Sequence, residues 1–291
     1  MAANTTAVTV KYTEGGVTKT TTTPVTVTSI SNTLASNSWA TIRAVSDAGK
    51  GSNYWSVGDA KGITINGKVG ATTISNLAIS VFILGFNHNA SREGSNRIHF
   101  QIGKINGTLV GLVDDNYGSY TRTTGAFTMN TSQTNSGGWN NSHMRKTVLG
   151  SNSTSATSPT ANTLLAALPA DLRAVMKPAT KYSDNTGGGS DTASYVTATQ
   201  DLLPLLSEFE YYGAKTYANS AEKNYQAQYD YYKAGNSKVH YKHNATGTAA
   251  CVWCRSVDSS DSSTFCRVYT DGSAHHGSAH YSWALAPCFF V

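Results

Sequence analysis

Charged residues are scarce in this chain of 291 residues. Asp, Glu, Lys and Arg make up only 13% of it, and the formal net charge is +5. The small basic excess is spread along the sequence and forms no block of Lys and Arg. Nucleic-acid-binding proteins concentrate their positive charge on one face or in one run, so we expect no nucleic-acid partner.

Long hydrophobic runs are also missing. Residues 1–23 contain no apolar core of a secretion signal, and the most apolar stretch, residues 79–84, is far too short to span a bilayer. We therefore expect neither a signal peptide nor membrane insertion. Release by another route, for example inside a phage particle freed by lysis, fits this expectation, and a chain cut from a longer protein is the alternative.

Uncharged polar residues fill the space that charges leave. The chain has 26 Gly and 16 Tyr, with abundant Ser, Thr and Asn. This composition is typical of β-rich surfaces and adhesive loops, and it indicates an extracellular or virion-surface protein. The length suits one large β-rich domain, which can bury a sizeable core without disulfide bonds.

Two residue types are absent from long parts of the chain. No cysteine precedes Cys251, and no asparagine follows Asn244, although 22 asparagines lie at or before it. Residues 251–291 also lack Lys, Glu, Gln, Met and Ile. The C-terminal segment therefore differs in composition from everything before it.

Local patterns predict the elements of the first third. Apolar and Thr residues alternate in residues 7–12 and 24–28 around Gly15 and Gly16, which predicts a β-hairpin that could serve for attachment. Ser38 is a suitable N-cap for a short amphipathic helix that ends near Gly49. A β-meander is predicted for residues 63–65, 79–86, 98–102 and 109–113.

The middle of the chain has helical patterns. Short helices are predicted for residues 141–149, ending at Gly150, and from Pro169 onward; residues 221–234 read as a longer helix closed by Gly235. The last of these places three tyrosines on one face, which favours core packing over a ligand platform: Tyr225, Tyr229 and Tyr232. Short strands and loops are expected to return after residue 240.

The four cysteines leave three interpretations open. Cys251, Cys254, Cys266 and Cys288, with His240 and His243 nearby, include enough nitrogen and sulfur ligands for a structural zinc, but the second pair lacks a paired spacing. One or two disulfide bonds are a second interpretation. Free thiols, buried or partly exposed, are the third and the one we favour.

The histidines near the C-terminus also have two interpretations. His275, His276 and His280 could hold a metal or act as acid and base groups beside Ser and Asp. The chain has no nucleophile elbow, zinc-protease motif, phosphate loop or dinucleotide fingerprint. An exposed loop rich in hydrogen-bonding side chains is therefore the simpler interpretation.

The C-terminal composition matches one specific process. Mutating adenines within AAC or AAT codons removes Asn; the products include Ser, His, Tyr, Asp, Cys, Gly, Ala, Val and Phe, but never Lys, Glu, Gln or Met. Residues 257–281 follow this pattern, whereas Trp283 cannot arise from an AAC codon in this way. Chance in a short loop is the alternative explanation.

Three groups of residues carry a family resemblance. They are residues 137–145 (GGWNNSHMR), residues 253–256 (WCRS), and residues 265–274 (FCRVYTDGSA) with the terminal LAPCFFV. Residues 31–291 resemble a domain-of-unknown-function family of phages and prophages of gut bacteria, with a C-type lectin-like fold of the formylglycine-generating-enzyme type. The relatives include variable proteins of diversity-generating retroelements, in which adenine-directed mutagenesis rewrites a C-terminal ligand-binding surface.

The resemblance implies an α+β fold, a C-type lectin-like fold with short helices around a β-rich core, plus an N-terminal β extension. Residues 1–30 form the predicted attachment or oligomerisation segment, and residues 31–291 form the lectin-like domain with its hypervariable region at about 251–285. No counterpart of the catalytic cysteine motif of the sulfatase-activating enzymes is apparent at Cys251 or Cys254, so enzymatic activity is not carried over.

The resemblance also divides the C-terminal residues into two sets. The residues predicted to hold the fold are Trp253, Arg255, Ser256, Phe265, Val268, Gly272, Ala274, Ala279, Leu285, Ala286 and Pro287. The residues predicted to be exposed and to bind the ligand are Val257, Asp258, Ser260, Asp261, Ser263, Arg267, Tyr269, Asp271, Ser273, His275, His276, Ser278, His280, Tyr281 and Trp283. Tyr and Trp offer rigid contact area, and Ser, Asp and His offer adaptable hydrogen bonds.

These observations predict a non-enzymatic receptor-binding protein of a phage tail tip or fibre, located on the virion surface. The expected partners are a bacterial surface receptor, which is either a protein or a glycan, and other virion proteins. By analogy, we expect a homo-oligomer such as a trimer. No cofactor is expected. The alternatives are a zinc- or cysteine-dependent enzyme on the same fold and a structural decoration protein of the virion.

Overall fold

Strands carry most of the regular structure in the residues that the computed structural model describes, 4–27 and 29–291, with side chains described for 9–22 and 29–291. The strands are β1 (Asn4–Glu14), β2 (Val17–Val27), β3 (Ala60–Val69), β4 (Thr72–Phe86), β5 (Ile98–Ile105), β6 (Thr108–Gly111), β7 (Ala179–Asp184), β8 (Val196–Asp201), β9 (His240–Lys242), β10 (Ala245–Ala250), β11 (Val252–Val257), β12 (Thr264–Val268), β13 (Ala274–Ser278) and β14 (Cys288–Phe290).

The helices are short. They are α1 (Trp39–Asp47), α2 (Gly51–Tyr54), α3 (Ala90–Glu93), α4 (Gly138–Asn141), α5 (Leu164–Ala167), α6 (Ala170–Arg173), α7 (Glu208–Tyr212) and α8 (Asp230–Lys233), with 3₁₀ turns at Leu34–Ser36, Ala193–Tyr195 and Ser220–Asn224 and a π-helical turn at Met144–Leu149. None of the helices in the described part of the chain is long and apolar enough to cross a membrane. The architecture is thus mixed α and β, dominated by sheets.

The N-terminal hairpin is confirmed. Strands β1 and β2 pair antiparallel from Asn4 with Val27 to Glu14 with Val17. The turn between them places Gly15 and Gly16 at φ +57° and +80°, a conformation that glycine adopts without strain. The side chains of residues 7–8 and 24–28, which belong to the predicted alternation, lie outside the described residues.

The first helix is also confirmed. The hydroxyl of Ser38 accepts a hydrogen bond from the backbone N–H of Thr41 at 3.1 Å, as an N-cap does. The apolar stripe of α1, formed by Trp39, Ile42 and Val45, is buried. Gly49, just past the helix, has φ +67°.

The predicted meander forms one side of a seven-stranded sheet, with β3 at its edge. Strands β3, β4, β5 and β6 are consecutive antiparallel neighbours, and β9 and β10 extend the sheet beyond β6, with β6 and β9 parallel. The last strand, β14, pairs antiparallel with β5 along residues 99–101. The C-terminus therefore returns to the middle of the main sheet.

The centre of the main sheet is buried on both faces. Successive residues of β4 alternate between two apolar clusters: Val81 and Ile83 pack in one, and Phe82 and Leu84 in the other. A strand that is covered on both faces needs apolar residues at every position. This explains why residues 81–84 form an unbroken apolar run.

The helix predicted for residues 221–234 is wrong. A 3₁₀ turn at Ser220–Asn224 gives way to non-helical chain, and α8 begins only at Asp230. The side-chain amide of Gln226 donates to the carbonyl of Tyr182, and the backbone N–H of Tyr229 donates to the carbonyl of Glu210. These tertiary hydrogen bonds replace the i to i−4 bonds of a continuous helix.

The helix predicted for residues 141–149 is present only in part. Helix α4 ends at Asn141, Ser142 is extended, and a π-helical turn runs to Leu149. Gly150 ends it in the left-handed region with φ +69°, as predicted.

Candidate ligand-binding surface

A small outer sheet carries the C-terminal surface. Strands β11, β12 and β13 are antiparallel neighbours in this order. Every residue of β11 is buried, whereas every residue of β13 is half-buried. Exposed contact area is therefore offered by β13, by Arg267 of β12 and by the loops around them.

The predicted binding residues fall into three groups. The exposed ones are Ser260, Tyr269, Asp271 and Ser273. The half-buried ones are Asp261, Ser263, Arg267, His275, His276, Ser278, His280, Tyr281 and Trp283. Val257 and Asp258 are both fully buried, so the expectation that they are exposed is wrong.

Both corrections have a structural cause. Every residue of β11 is buried, and Val257 lies opposite Phe265 of β12 inside the main apolar core. Because Val257 follows Trp253 by four residues, the alternation of the strand places both side chains on the face that packs in this core. Asp258 turns inward because its carboxylate accepts hydrogen bonds from Thr264 at 3.1 Å and from the backbone of Ser260 at 2.8 Å.

Of the residues predicted to hold the fold, most are buried. These are Trp253, Arg255, Ser256, Phe265, Val268, Ala279, Leu285, Ala286 and Pro287. Gly272 and Ala274 are half-buried instead, and Gly272 has φ +85° in the turn between β12 and β13. The outer sheet thus has a buried inner layer and a solvent-facing outer layer.

The outer layer contains a continuous row of side chains joined by ring–ring and cation–π contacts, which we call the aromatic band. Its members are Tyr217, His276, His275, Tyr269, Arg267, Trp283, Tyr281, Tyr120 and His280.

The first half of the aromatic band consists of nearly parallel rings. Tyr217 stacks on His276 with centroids 4.7 Å apart, and His276 stacks on His275 at 5.3 Å. His275 in turn stacks on Tyr269 at 5.0 Å. Because β12 and β13 pair across this region, the sheet itself sets the spacing of these rings.

The second half is joined to the first by Arg267. Its guanidinium lies 5.4 Å from the ring of Tyr269 and 4.5 Å from the ring of Trp283. Trp283 and Tyr281 are parallel within 13°, with centroids 5.9 Å apart. Tyr120, which is 68% exposed, closes the row against Tyr281 at 6.2 Å.

A buried carboxylate orients one ring of the band. Nδ1 of His276 lies 2.7 Å from Oδ2 of Asp258, and Asp258 is fully buried while His276 is partly exposed. Asp258 therefore contributes to the surface indirectly: it positions His276 from below instead of touching a ligand.

A second buried carboxylate organises the loop that carries Tyr217. Glu208 accepts hydrogen bonds from the backbone N–H groups of Thr216, Tyr217 and Ala218 at 2.8–3.2 Å. Burial raises the pKa of Glu208, and these three backbone donors act in the opposite direction. The loop then accepts a hydrogen bond from the hydroxyl of Ser259 at the carbonyl of Tyr217, at 3.0 Å.

Sequence reasoning missed the upstream members of this surface. Tyr120 and Tyr217 lie far from the asparagine-free segment, as does Tyr117, whose ring contacts Trp283 edge-on at 5.4 Å. The ammonium of Lys242 lies over Tyr117 at 4.3 Å. The one local signal was tyrosine within Gly, Ser and Asn turn sequences, and that signal alone does not show which turns meet the C-terminal segment.

A buried ionic cluster lies behind β11. Arg255 donates to Glu210 through both terminal nitrogens and to Ser183 through Nε at 2.9 Å. Nζ of Lys181 lies 2.9 Å from Glu210 and 2.5 Å from Glu93. Although burial alone lowers the pKa of Lys181, the carboxylates of Glu210 and Glu93 raise it above its usual value.

One group in the described residues has the spacing of metal ligands. His88, Glu93 and Glu210 place their ligand atoms within 4.8 Å of one another. The ammonium of Lys181 already lies between the two carboxylates, where it supplies the positive charge. This group is therefore best understood as part of the ionic cluster.

All four cysteines are free and buried. Burial raises the pKa of each thiol, and that of Cys288 to about 12. None of the four belongs to a metal-ligand group in the part of the chain that the structure describes. The disulfide interpretation is not borne out, and the arrangement is that of buried thiols.

The Asp–His contact and the Ser–His contact of this surface involve two different histidines. Asp258 contacts His276, whereas the hydroxyl of Ser278 lies 3.1 Å from Nδ1 of His280. In the described residues no hydrogen bond joins His276 to a serine hydroxyl. An Asp–His–Ser triad is therefore not assembled here.

Comparison with known proteins identifies a family. A family model described as "Domain of unknown function (DUF6273)" matches residues 116–291, which is more than half of the chain. The chain belongs to this family. No curated protein and no solved structure matches it.

The DUF6273 region contains the whole aromatic band, from Tyr120 to Trp283. The main sheet and the ionic cluster combine residues from both sides of the boundary of this region, because β14 pairs with β5 and Lys181 contacts Glu93. Strands β3 to β6 precede the DUF6273 region. The meander is thus a structural support for the part of the chain that carries the surface.

Proposed function

We propose that this protein is a non-enzymatic receptor-binding protein of a phage or prophage, exposed on the tail tip or fibre, and that its ligand site is the aromatic band. The single observation that carries the proposal is the continuous row of ring–ring and cation–π contacts from Tyr217 to Tyr120 along the outer layer of the C-terminal sheet. Rigid, partly exposed aromatic side chains are the residue types that dominate recognition surfaces.

The contrast between the two layers of the outer sheet supports this proposal. The inner layer consists of fully buried side chains such as Trp253, Phe265 and Arg255, all at 0% exposure. The outer layer consists of partly exposed side chains that lie over this buried inner layer. A fold of this kind tolerates replacement of the outer side chains, because they contribute little to the core.

Diversification by a retroelement is part of the proposal. Six of the nine members of the aromatic band lie between residues 267 and 281, in or next to the segment that follows the adenine-mutagenesis pattern. A C-type lectin-like scaffold is proposed with it. The C-terminal strand that returns to the main sheet and the separate outer sheet are compatible with that scaffold.

The enzyme alternative has less support from the site. The thiols are buried, with pKa values raised by burial, so they are poor nucleophiles and poor metal ligands at neutral pH. The structural-decoration alternative differs from receptor binding in one testable respect, since it does not require the band.

The test is binding of the labelled protein to a panel of gut bacterial strains. Replacing Tyr269, His275, Tyr281 and Trp283 together by serine is expected to abolish binding without unfolding the protein. The matched control replaces Tyr182 and Tyr225, which stack at 4.6 Å outside the band, and should leave binding unchanged. Binding that survives the fourfold replacement would favour the decoration role.

The diversification is tested separately on the source genome. We expect a near-copy of the DNA that encodes residues 251–285, beside a reverse transcriptase gene, that differs almost only at adenines. A complete genome without such a copy would remove this part of the proposal and leave the binding part intact.

A further inference from the structure

Arg267 carries a positive charge that nothing in the described residues balances. It forms no ion pair there, and its Nε and Nη1 atoms are buried without a hydrogen-bond acceptor. Buried guanidinium N–H groups without an acceptor are costly, because they can only donate hydrogen bonds and the group stays protonated at any pH that the protein tolerates. This arginine therefore requires a functional explanation.

The local structure holds Arg267 in this position. A Cβ atom on Gly277 would lie 3.2 Å from Nε of Arg267 and 3.1 Å from Nε1 of Trp283, so the glycine leaves room for both groups. Nε1 of Trp283 is likewise buried without an acceptor. Two donors without acceptors thus lie beside each other in the centre of the aromatic band.

The neighbouring carboxylates are engaged by other groups. Asp258 contacts His276, while Asp261 and Asp271 accept from the hydroxyls of Ser263 and Ser273, each at 2.6 Å. These serine hydrogen bonds lower the pKa values of Asp261 and Asp271. An anion that pairs with Arg267 therefore has to come from another molecule.

The groups around Arg267 define a second property of that molecule. The rings of Trp283 and Tyr281 are parallel within 13° and form a flat apolar step beside the guanidinium. The hydroxyl of Ser278 and the imidazole of His280 lie next to this step and can exchange hydrogen bonds with hydroxyl groups. The C–H face of a pyranose ring stacks on such rings while its hydroxyls reach polar neighbours.

A peptide that adds a strand to the sheet fits less well. The outer strand β13 is an edge strand, but the backbone N–H of His276 already donates to Nδ1 of the neighbouring His275 at 2.9 Å. The imidazole of His275 also stacks between Tyr269 and His276. The side chain thus blocks main-chain pairing at this edge.

We infer that the aromatic band binds an acidic sugar of a glycan, of the uronic or sialic acid type. Its carboxylate pairs with Arg267 and its ring stacks on Trp283 and Tyr281. Tyr269, which covers one side of the guanidinium and is 38% exposed, turns aside to admit the carboxylate. The inference rests on the proposed receptor-binding function and specifies its ligand class.

The test uses the full-length protein and three carboxylate-bearing probes: trigalacturonate, a hyaluronan tetrasaccharide and 3′-sialyllactose. Each is compared with its carboxyl-reduced, neutral form and with poly-L-glutamate by titration calorimetry. We expect at least one acidic sugar to bind at least tenfold more tightly than its neutral form, and this preference to weaken as NaCl is raised. This comparison uses only the parent protein, so its outcome does not depend on whether a variant folds correctly.

Variants then assign the preference to Arg267. Arg267→Gln should remove the tenfold difference between acidic and neutral forms, and Arg267→Lys should retain part of it. The control is Arg92→Gln, because Arg92 lies over a different tyrosine ring, that of Tyr225 at 5.0 Å, and should keep the full difference. Equal loss in the Arg92 variant would show that net charge, and not this site, is responsible.

The remaining outcomes separate this inference from the proposed function. If acidic and neutral sugars bind equally, or only poly-L-glutamate binds, the acidic-sugar assignment is wrong. If no sugar binds but the fourfold band variant still loses bacterial binding, the assignment is wrong and the receptor-binding function stands. If the fourfold band variant binds both sugars and bacteria as well as the parent protein does, the acidic-sugar assignment and the proposed receptor-binding function are both wrong.

Discussion

Arg255 and Arg267 lie on adjacent strands of the same small sheet and have opposite surroundings. Arg255 is fully buried and donates to Glu210, Ser183 and the carbonyl of Leu205. Arg267 lies in the outer layer between two aromatic rings and has no acceptor for Nε and Nη1 among the described residues. The buried cation is paired within the fold, whereas the outer cation has no partner among the described residues, which is the basis of the proposed acidic-sugar site.

The largest expected effect separates these two arginines. Arg255→Met should lower the free energy of unfolding by about 3–5 kcal/mol, because it leaves Glu210 buried with only Lys181 as its counter-ion. Arg267→Met should not lower it, because the substitution removes buried N–H donors that have no acceptor among the described residues. Urea unfolding of both variants measures the difference, and similar losses in the two would show that the layers are not distinct.

The next effect concerns the pH dependence of the inner layer. Burial raises the pKa of Glu222 from 4.5 to about 7, despite hydrogen bonds from Ser256 and the backbone of Asp184. The folded state then binds this proton more tightly than the unfolded chain does, so the stabilisation is present below pH 4.5 and is lost as the pH rises through 7.

Glu222→Gln isolates this contribution. The stability of the parent protein relative to the variant should fall by about 3 kcal/mol between these two pH values, because one pKa unit corresponds to about 1.4 kcal/mol. Urea unfolding across the pH range measures it. A constant difference between the two proteins would mean that Glu222 titrates normally in the folded state.

A smaller loss of stability is expected at Glu208, which links the buried inner layer to the loop that carries Tyr217 of the outer layer. Glu208→Ala leaves the backbone N–H groups of Thr216, Tyr217 and Ala218 without their acceptor and should cost about 1–3 kcal/mol. Hydrogen exchange should rise at residues 216–218. The control is Asp191→Ala, since Asp191 also accepts a backbone N–H, that of Ser220, but is exposed and should cost less than about 1 kcal/mol.

The smallest effect on stability is expected in the outer layer. Tyr217→Ser removes the stack on His276 at 4.7 Å and should cost only about 0.5–1.5 kcal/mol. It should nevertheless reduce binding to bacteria. Tyr225→Ser, which removes a comparable stack on Tyr182, should have a similar cost with no loss of binding. Equal binding by the two variants would argue against Tyr217 as part of the site.

The elements predicted correctly are those that local physics decides. The Gly15–Gly16 turn, the Ser38 cap and the apolar strands of the meander each depend on residues close in sequence. The helix expected at residues 221–234 failed because hydrogen bonds to Tyr182 and Glu210, distant in sequence, outweighed a modest local preference. Local signals do not contain such contacts.

The candidate ligand-binding surface was predictable from the sequence to a similar extent. Composition alone pointed to the segment that supplies Arg267, Tyr269, His275, Tyr281 and Trp283. It misassigned Val257 and Asp258, because packing on both faces of β11 and inward hydrogen bonds decide their burial. It also missed Tyr120 and Tyr217, which reach the band only through the folding of the chain.

The sequence by itself determined where the surface-forming segment lies and which local turns and strands lead to it, since both follow from residue types and their spacing. Only the tertiary structure decided that nine side chains from three parts of the chain form one row, and that Arg267 stands in it without a counter-ion. Stacking and charge balance depend on distances of a few ångströms between residues far apart in sequence, and the packing of the sheets sets those distances.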